Sequence, residues 1–256
     1  MTQAAYPGDL TGKVILVTGG AQGIGGATAR LCAQRGGQVV IADWNADNGA
    51  QAAAKLREYG YAASFVQTDV RSPEAVQNLM AEVQAQHGRL DVLICAAGVL
   101  KGAFQSPDEL DIEVFDEVID VNLKGVFLCT KYAMPLFDAR GGSGTIIIVG
   151  SPAGVTGGSG SLAYGASKGG VNGYGMTLPR HMGNRRIRVN VISPGGINTE
   201  LKLGAVAADA KKQGKVVDAA LDEAKQQLGD PEGGGRVIAF LASDEAEYMR
   251  GTLYTR

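Results

Sequence analysis

Apolar residues along this chain fall into short continuous runs separated by longer stretches in which they recur every three or four positions. The runs at 14–17, 38–43, 62–67, 91–95, 145–149 and 187–193 read as strands buried on both faces, and 251–255 reads as the start of a seventh. Between them, 24–35, 45–59 and 73–87 carry helical spacing; in the first of these the apolar stripe is Ile24, Ala27 and Leu31 with their neighbours. Segment 108–138 is long and partly helical, and 160–182 reads as helix. Strand alternating with helix over short connections predicts an α/β fold built on a parallel sheet covered on both faces. Right-handed crossovers then make the sheet doubly wound, with about seven strands in a single domain spanning 1–256. Ligands of such sheets sit at the carboxyl ends of the strands, and Thr18, Asp43, Asp69, Ala96, Ser151 and Pro194 all fall there.

The first strand runs into Gly19-Gly20-Ala21-Gln22-Gly23-Ile24-Gly25 and then into a helix. Glycines let backbone approach a pyrophosphate, and a helix N-terminus offers free N–H donors and a positive dipole end. The glycine spacing differs from Gly-x-Gly-x-x-Gly, but strand before and helix after is the context such a motif requires. The second strand ends in Asp43, a carboxylate placed to accept hydrogen bonds from adenosine ribose hydroxyls and to repel a 2′-phosphate. Trp44 and Asn45 follow without a nearby Lys or Arg, and Gln22 is uncharged, so NAD is favoured over NADP. Asp43 is equally placed to cap the helix that begins near Ala46. Asp69-Val70 follows the third strand, where a carboxylate can meet the adenine amino group. The small residues Ala96, Ala97 and Gly98 after the fourth strand let a cofactor pass close to the backbone.

Within 160–182, Tyr164 and Lys168 stand four apart on one helix face, and Ser151 closes the preceding strand. A phenol titrates near ~10, and moving it toward neutrality by roughly three units takes about 4 kcal/mol. One positive charge about 4 Å away, at an effective dielectric of about 20, supplies roughly that. Two hydroxyls, Tyr164 and Ser151, aimed at one oxygen are what carbonyl chemistry asks for. Alone, the Tyr-x-x-x-Lys spacing also describes an ordinary surface pair worth a few tenths of a kcal/mol; the rest of the chain decides between the two.

Composition narrows the classes. With 256 residues, 45% hydrophobic and 20% charged, the chain can bury a substantial core. A formal net charge of −2 without a basic run gives no support to a nucleic-acid or anionic-membrane surface. Cys32, Cys95 and Cys129 lie in apolar stretches without Cys-x-x-Cys spacing, which reads as reduced thiols of a cytoplasmic protein. His87 and His181 complete no metal-ligand spacing, so no metal is expected. No apolar run approaches the ~18 residues of a membrane span. Residues 1–9 are polar, without the apolar centre of a signal peptide, and are expected to form a flexible tail.

Taken together, and in this order, Thr18-Gly19-Gly20-Ala21-Gln22-Gly23-Ile24-Gly25, Asp69, Asn122, Ser151, Tyr164-x-x-x-Lys168 and Pro194-Gly195 with Ile197-Asn198-Thr199 resemble the short-chain dehydrogenase/reductase family. The resemblance spans 13–255 and implies a Rossmann-type sheet. It also implies a bound NAD and a hydride exchanged between the nicotinamide and a secondary alcohol or ketone. It assigns Tyr164 as catalytic acid/base, Ser151 as holder of the substrate oxygen and Lys168 as the group that binds the nicotinamide ribose and lowers the tyrosine pKa. Asn122 would support Lys168 through a water relay; its neighbours Val121 and Leu123 face the core on the same reading. Pro194, Gly195, Ile197 and Thr199 would line the nicotinamide side. A homo-oligomer, tetramer or dimer, is implied as well.

Two places depart from the family pattern. Cys95 stands where an asparagine usually follows the fourth strand, and it is expected to pack as a small hydrophobe. The usual Asp-Gly-Gly ending is absent after the seventh strand. The substrate is expected under helices within 199–230, with Leu201, Leu203, Val206, Val216, Val217 and Leu221 giving apolar surface. The other edges are 99–104 and the glycine-rich, adaptable 152–161. These surroundings suit an alcohol or ketone of modest polarity. A 3-oxoacyl thioester reductase using NADPH shares every motif, but Asp43 speaks against it; an idle NAD-binding scaffold would commonly lack Tyr164 or Lys168.

Overall fold

The strands anticipated from the apolar runs form one parallel sheet in the computed structural model, which describes residues 8–255. The chain runs β1 (Val14–Thr18), α1 (Gly23–Gln34), β2 (Gln38–Asp43), α2 (Ala46–Glu58), β3 (Ala63–Gln67), α3 (Pro73–His87) and β4 (Val92–Cys95). It continues through α4 (Ile112–Ile119), a π-helical turn (Asp120–Lys124), α5 (Gly125–Ala139), β5 (Ser143–Val149), α6 (Leu162–Thr177) and β6 (Arg186–Pro194). It closes with α7 (Glu200–Lys212), α8 (Val217–Gln227), α9 (Pro231–Ala242) and β7 (Gly251–Thr255). Strand order is β3-β2-β1-β4-β5-β6-β7. The chain therefore steps outward from β1 in one direction, returns, and steps outward in the other. That reversal opens a crevice between the ends of β1 and β4, where Thr18 pairs with Cys95 on one side and Ala42 on the other.

Alternation along each strand splits the core in two. Leu16, Val40, Leu93, Ile146 and Ile148 face α3, α5 and α6; Ile15, Val17, Ile41, Ile94 and Ile147 face α1, α2 and α9. Such burial on both faces explains why the strands lack polar alternation in the sequence. The expected tail, 1–9, lies outside the described residues for 1–7; Gly8 and Asp9 lead directly into the fully buried Leu10.

Local sequence rules set several boundaries. Asn45, rather than Asp43, caps α2, its Oδ1 accepting from Asn48 N–H at 3.0 Å. Helix α6 begins later than the expected 160 because Ser161 Oγ caps it, accepting from Tyr164 N–H at 3.2 Å; its last turn tightens to a 3₁₀ turn at Leu178–His181, where Pro179 has no N–H to give. Two features differ from expectation for a tertiary reason. On α1 the sheet-facing side is Gly25, Ala29, Cys32 and Ala33, while Ile24 and Leu31 turn toward α9. Helix α9 itself has no strong signal, since Gly233, Gly234 and Gly235 oppose helix formation. Packing requires the last of them: a Cβ on Gly235 would lie 2.9 Å from Leu31 and 3.1 Å from the Thr28 nitrogen, whereas Gly233 faces open space. The contact with α1 overrides the weak local preference.

Candidate active site

At the carboxyl ends of the strands lies a cavity of about 700 Å³. Its first wall is the turn after β1. Gly19 has φ +66°, and a Cβ there would strike the Ala97 backbone at 2.6 Å. A Cβ on Gly25 would sit 2.1 Å from the Gly19 carbonyl, so neither position admits a side chain. Helix α1 starts with no side-chain cap from Gln22 and no acidic residue in its first turn, leaving its N–H donors free for an anion. Gln22, Gly23 and Ile24 line the cavity beside them. A backbone cradle that excludes a Cβ at Gly19 and Gly25, at an uncapped helix end, fits a dinucleotide pyrophosphate.

Asp43 is buried and oriented before any ligand arrives: Oδ2 accepts from Ala21 N–H and Oδ1 from Asn45 N–H, each at 3.1 Å. Trp44 lines the cavity beside it but is 72% exposed, so it is a rim residue. Asp69 and Val70 reach the cavity as well. Asp69 is already paired, because Arg71 takes its carboxylate in a two-pronged pair, Nη2 to Oδ2 at 2.7 Å and Nε to Oδ1 at 3.0 Å. This guanidinium holds the Asp69 carboxyl below the usual carboxylate range. Arg71 was legible only as a basic neighbour two positions on, and it lines the cavity together with Thr68, which had no signal at all.

Ala96, Ala97 and Gly98 form the floor between β1 and β4, with a Cβ on Gly98 falling 3.4 Å from Asn122 Oδ1 and 3.8 Å from Lys168 Nζ. Asn122 is the one anticipated site residue that does not line the cavity. It is 0% exposed, turned inward by the π-helical stretch, and its amide is fully engaged. Oδ1 accepts from Val99 N–H at 2.8 Å, while Nδ2 donates to the Val99 carbonyl at 2.9 Å and to Ser167 Oγ at 3.0 Å. Its side chain therefore clamps the exit of β4 to α6. Flanking Val121 and Leu123 are partly buried against the core.

Tyr164, Lys168 and Ser151 converge on the cavity. Burial pushes the Tyr164 phenol up, and a hydrogen bond with Ser151 opposes that rise. Lys168 stands over that phenol ring. Its Nζ lies 5.7 Å from the phenol ring centre and donates to the Val149 carbonyl at 2.7 Å. A buried ammonium with no carboxylate beside it takes the nearest acceptor, here the end of β5. Burial also lowers the Lys168 ammonium to about 8. Cys95 packs in the core as expected, beside Cys129, whose hydrogen bond together with burial pushes the Cys95 thiol up.

Pro194, Gly195, Ile197 and Thr199 line the opposite side after β6, and Thr199 Oγ1 caps α7 by accepting from Lys202 N–H at 3.3 Å. Of the helical cover, α7 contributes Glu200, Leu201, Lys202 and Ala205; Leu203, Val206 and the apolar residues of α8 do not line the cavity. The stretch 152–161 is less uniformly adaptable than its glycines suggest. Gly157 and Gly158 face open space, but a Cβ on Gly154 would lie 2.0 Å from the Gly165 carbonyl. Lys101, Phe104 and Glu117 also reach the cavity, Lys101 and Glu117 as an ion pair at 2.6 Å. Among the described residues no helix is long and apolar enough to cross a membrane, and no group of three metal-ligating side chains assembles.

Comparison with known proteins gives a consistent result. The sequence model described as short chain dehydrogenase matches residues 13–229. A cis-4-hydroxycyclohexanecarboxylate dehydrogenase from Sinomonas cyclohexanicum is 39% identical, covering 94% of this chain and 93% of its own. Tropinone reductase-like 2 from Erythroxylum coca is 36% identical over 98% of this chain and 91% of its own. The crystal structure of gox2181 superposes with a TM-score of 0.84 at 30% identity, covering 97% of this chain and 95% of that one.

Proposed function

The chain belongs to the short-chain dehydrogenase/reductase family of oxidoreductases, whose folds bind NAD or NADP, and on that premise we propose that it is an NAD-dependent enzyme interconverting a secondary alcohol and a ketone. The observation that carries this reading is the meeting of the Tyr164 and Ser151 hydroxyls in the same cavity onto which the glycine turn and Asp43 open.

When bound, the nicotinamide supplies or accepts the hydride. Gly19, Gln22, Gly23, Ile24 and Gly25 would hold the pyrophosphate through backbone N–H groups. Asp43 would take the adenosine ribose hydroxyls and repel a 2′-phosphate. Trp44, Asp69 and Val70 would border the adenine end, while Arg71 is neutralised by Asp69. Ala96, Ala97, Gly98, Pro194, Gly195, Ile197 and Thr199 would enclose the nicotinamide end.

Tyr164 carries the proton, giving it to the substrate oxygen in reduction and taking it back in oxidation. Ser151 donates to the same oxygen, so the charge developing there faces two hydroxyls held in place beforehand. Lys168 uses one of its three N–H donors on Val149 and has two left for ribose hydroxyls. Asn122 acts at one remove, fixing Val99 and Ser167 around these groups.

Two relatives named for a hydroxycyclohexane carboxylate and for tropinone support a small organic alcohol or ketone as substrate. Three free, buried cysteines support a cytoplasmic setting. Ile112, Phe115, Phe127 and Met176 remain exposed on α4, α5 and α6 and support a homo-oligomer, tetramer or dimer; sedimentation as a 26.5 kDa monomer would remove that part of the reading.

The test is an alcohol and ketone panel assayed with NAD and with NADP. We expect Tyr164→Phe to lower turnover about 10³-fold while NAD binding stays within a factor of about two. Full activity in that variant would overturn the reaction, and a preference for NADPH with hydroxyacyl thioesters would replace the substrate assignment with the acyl reductase.

A further inference from the structure

Phe104 is the one non-glycine residue in the described chain with a positive φ, +60°. A bulky side chain stays in that region only when its surroundings hold it there, and such residues cluster at ligand sites. Four contacts hold this one. The Phe104 N–H donates to the Gly160 carbonyl, and the preceding Ala103 pairs with Ser161. Ser161 Oγ donates to the Lys101 carbonyl at 2.6 Å. Lys212, at the end of α7, donates to the Phe104 carbonyl. The ring lies against Gly160, where a Cβ would approach its tip to 2.7 Å, and Phe104 as a residue is still 36% exposed and lines the cavity.

The Phe104 backbone N–H and carbonyl and the Ser161 hydroxyl are thus engaged within the protein, and the side chain that Phe104 adds to the cavity lining is a hydrocarbon ring with a flat face. The wall and the phenol also share an anchor, because Ser161, which ties down the Phe104 loop, caps the helix that carries Tyr164. A rigid saturated ring lays several C–H groups on such a face at once, whereas an acyclic chain of the same size must first lose rotamer freedom. Resting on the reading of the site as one for secondary alcohols and ketones, we propose that Phe104 is a specificity-determining residue that selects substrates whose carbonyl carbon belongs to a saturated ring.

The experiment compares cyclohexanone with 2-hexanone, equal in carbon number. Each ketone is titrated into the protein saturated with the oxidised cofactor, NAD or NADP as the cofactor assay selects, so that binding is read without turnover by ligand-observed NMR. Wild type is expected to bind cyclohexanone at least tenfold more tightly than 2-hexanone. Phe104→Gly and Phe104→Asn, both at ease at positive φ, should bring that ratio to within about twofold with cofactor affinity unchanged. Phe104→Tyr, which keeps the ring, should retain the ratio; this guards against a folding artefact in the other two. A wild-type ratio near one, or a tenfold ratio surviving in Phe104→Gly and Phe104→Asn, would overturn the proposal. Reduction of both ketones is then assayed with reduced cofactor. A binding ratio that responds to Phe104 without any turnover would support the wall and count against the oxidoreduction itself.

Discussion

The two ends of the cavity are built by different means. The cofactor end is made of backbone at strand tips whose positions the parallel ladder sets: Thr18 lies between Ala42 and Cys95, and the turn that follows leaves no room for a side chain at Gly19 or Gly25. The substrate end hangs on contacts between segments far apart in sequence, Lys212 on Phe104 and Ser161 on Lys101, with open space at Gly157 and Gly158. One end is therefore rigid by register and the other by a few replaceable tethers. A fold arranged in this way can keep one cofactor while its substrate changes.

Paired substitutions would break this contrast most directly. Gly25→Val places carbon atoms into the Gly19 carbonyl and should weaken NAD binding about 100-fold or more, while Gly158→Ala, facing open space, should leave stability within about 0.5 kcal/mol. Calorimetric titration and thermal melts read both, and equal tolerance at the two positions would erase the distinction. Asn122→Ala tests the joint between the ends. It removes three hydrogen bonds, one buried and two partly buried, and leaves the Val99 backbone without the amide as partner, for an expected loss of about 2–4 kcal/mol in urea denaturation.

The smallest effect sharpens the comparison through pH. Lys168 titrates at about 8 when folded, against an ordinary value of 10.5. Between those values the unfolded chain holds the proton and the folded chain does not, so wild-type stability gains with rising pH across that window. The cost of burying the charge is fully present below about 8. Relative to Lys168→Met, wild type should therefore gain stability from pH 8 to 10.5 and show no relative change between pH 6 and 7. A flat difference across the window in urea denaturation would mean that the ammonium is solvated.

The strand runs were legible because parallel strands covered on both faces must be continuously apolar, and the glycine turn because only glycine fits where backbone meets backbone. Helix α9 was not, since its three glycines argue against a helix until α1 is packed on Gly235. Asp69 was visible as a carboxylate but not as Arg71's partner, and Asn122 as a polar residue among apolar neighbours but not as the clamp on Val99. In each case the missing information is which distant atom faces the side chain.

Periodicity, glycine placement and the order of chemical groups are local properties, so the sequence by itself determined the doubly wound sheet and the family to which the chain belongs. The partner chosen by Lys168, the left-handed backbone of Phe104 and the reach of Lys212 to the Phe104 carbonyl depend on where elements separated by tens of residues come to rest. Only the packed tertiary structure decided these, because a buried polar group takes the acceptor that packing leaves beside it and a strained backbone persists only when its neighbours hold it.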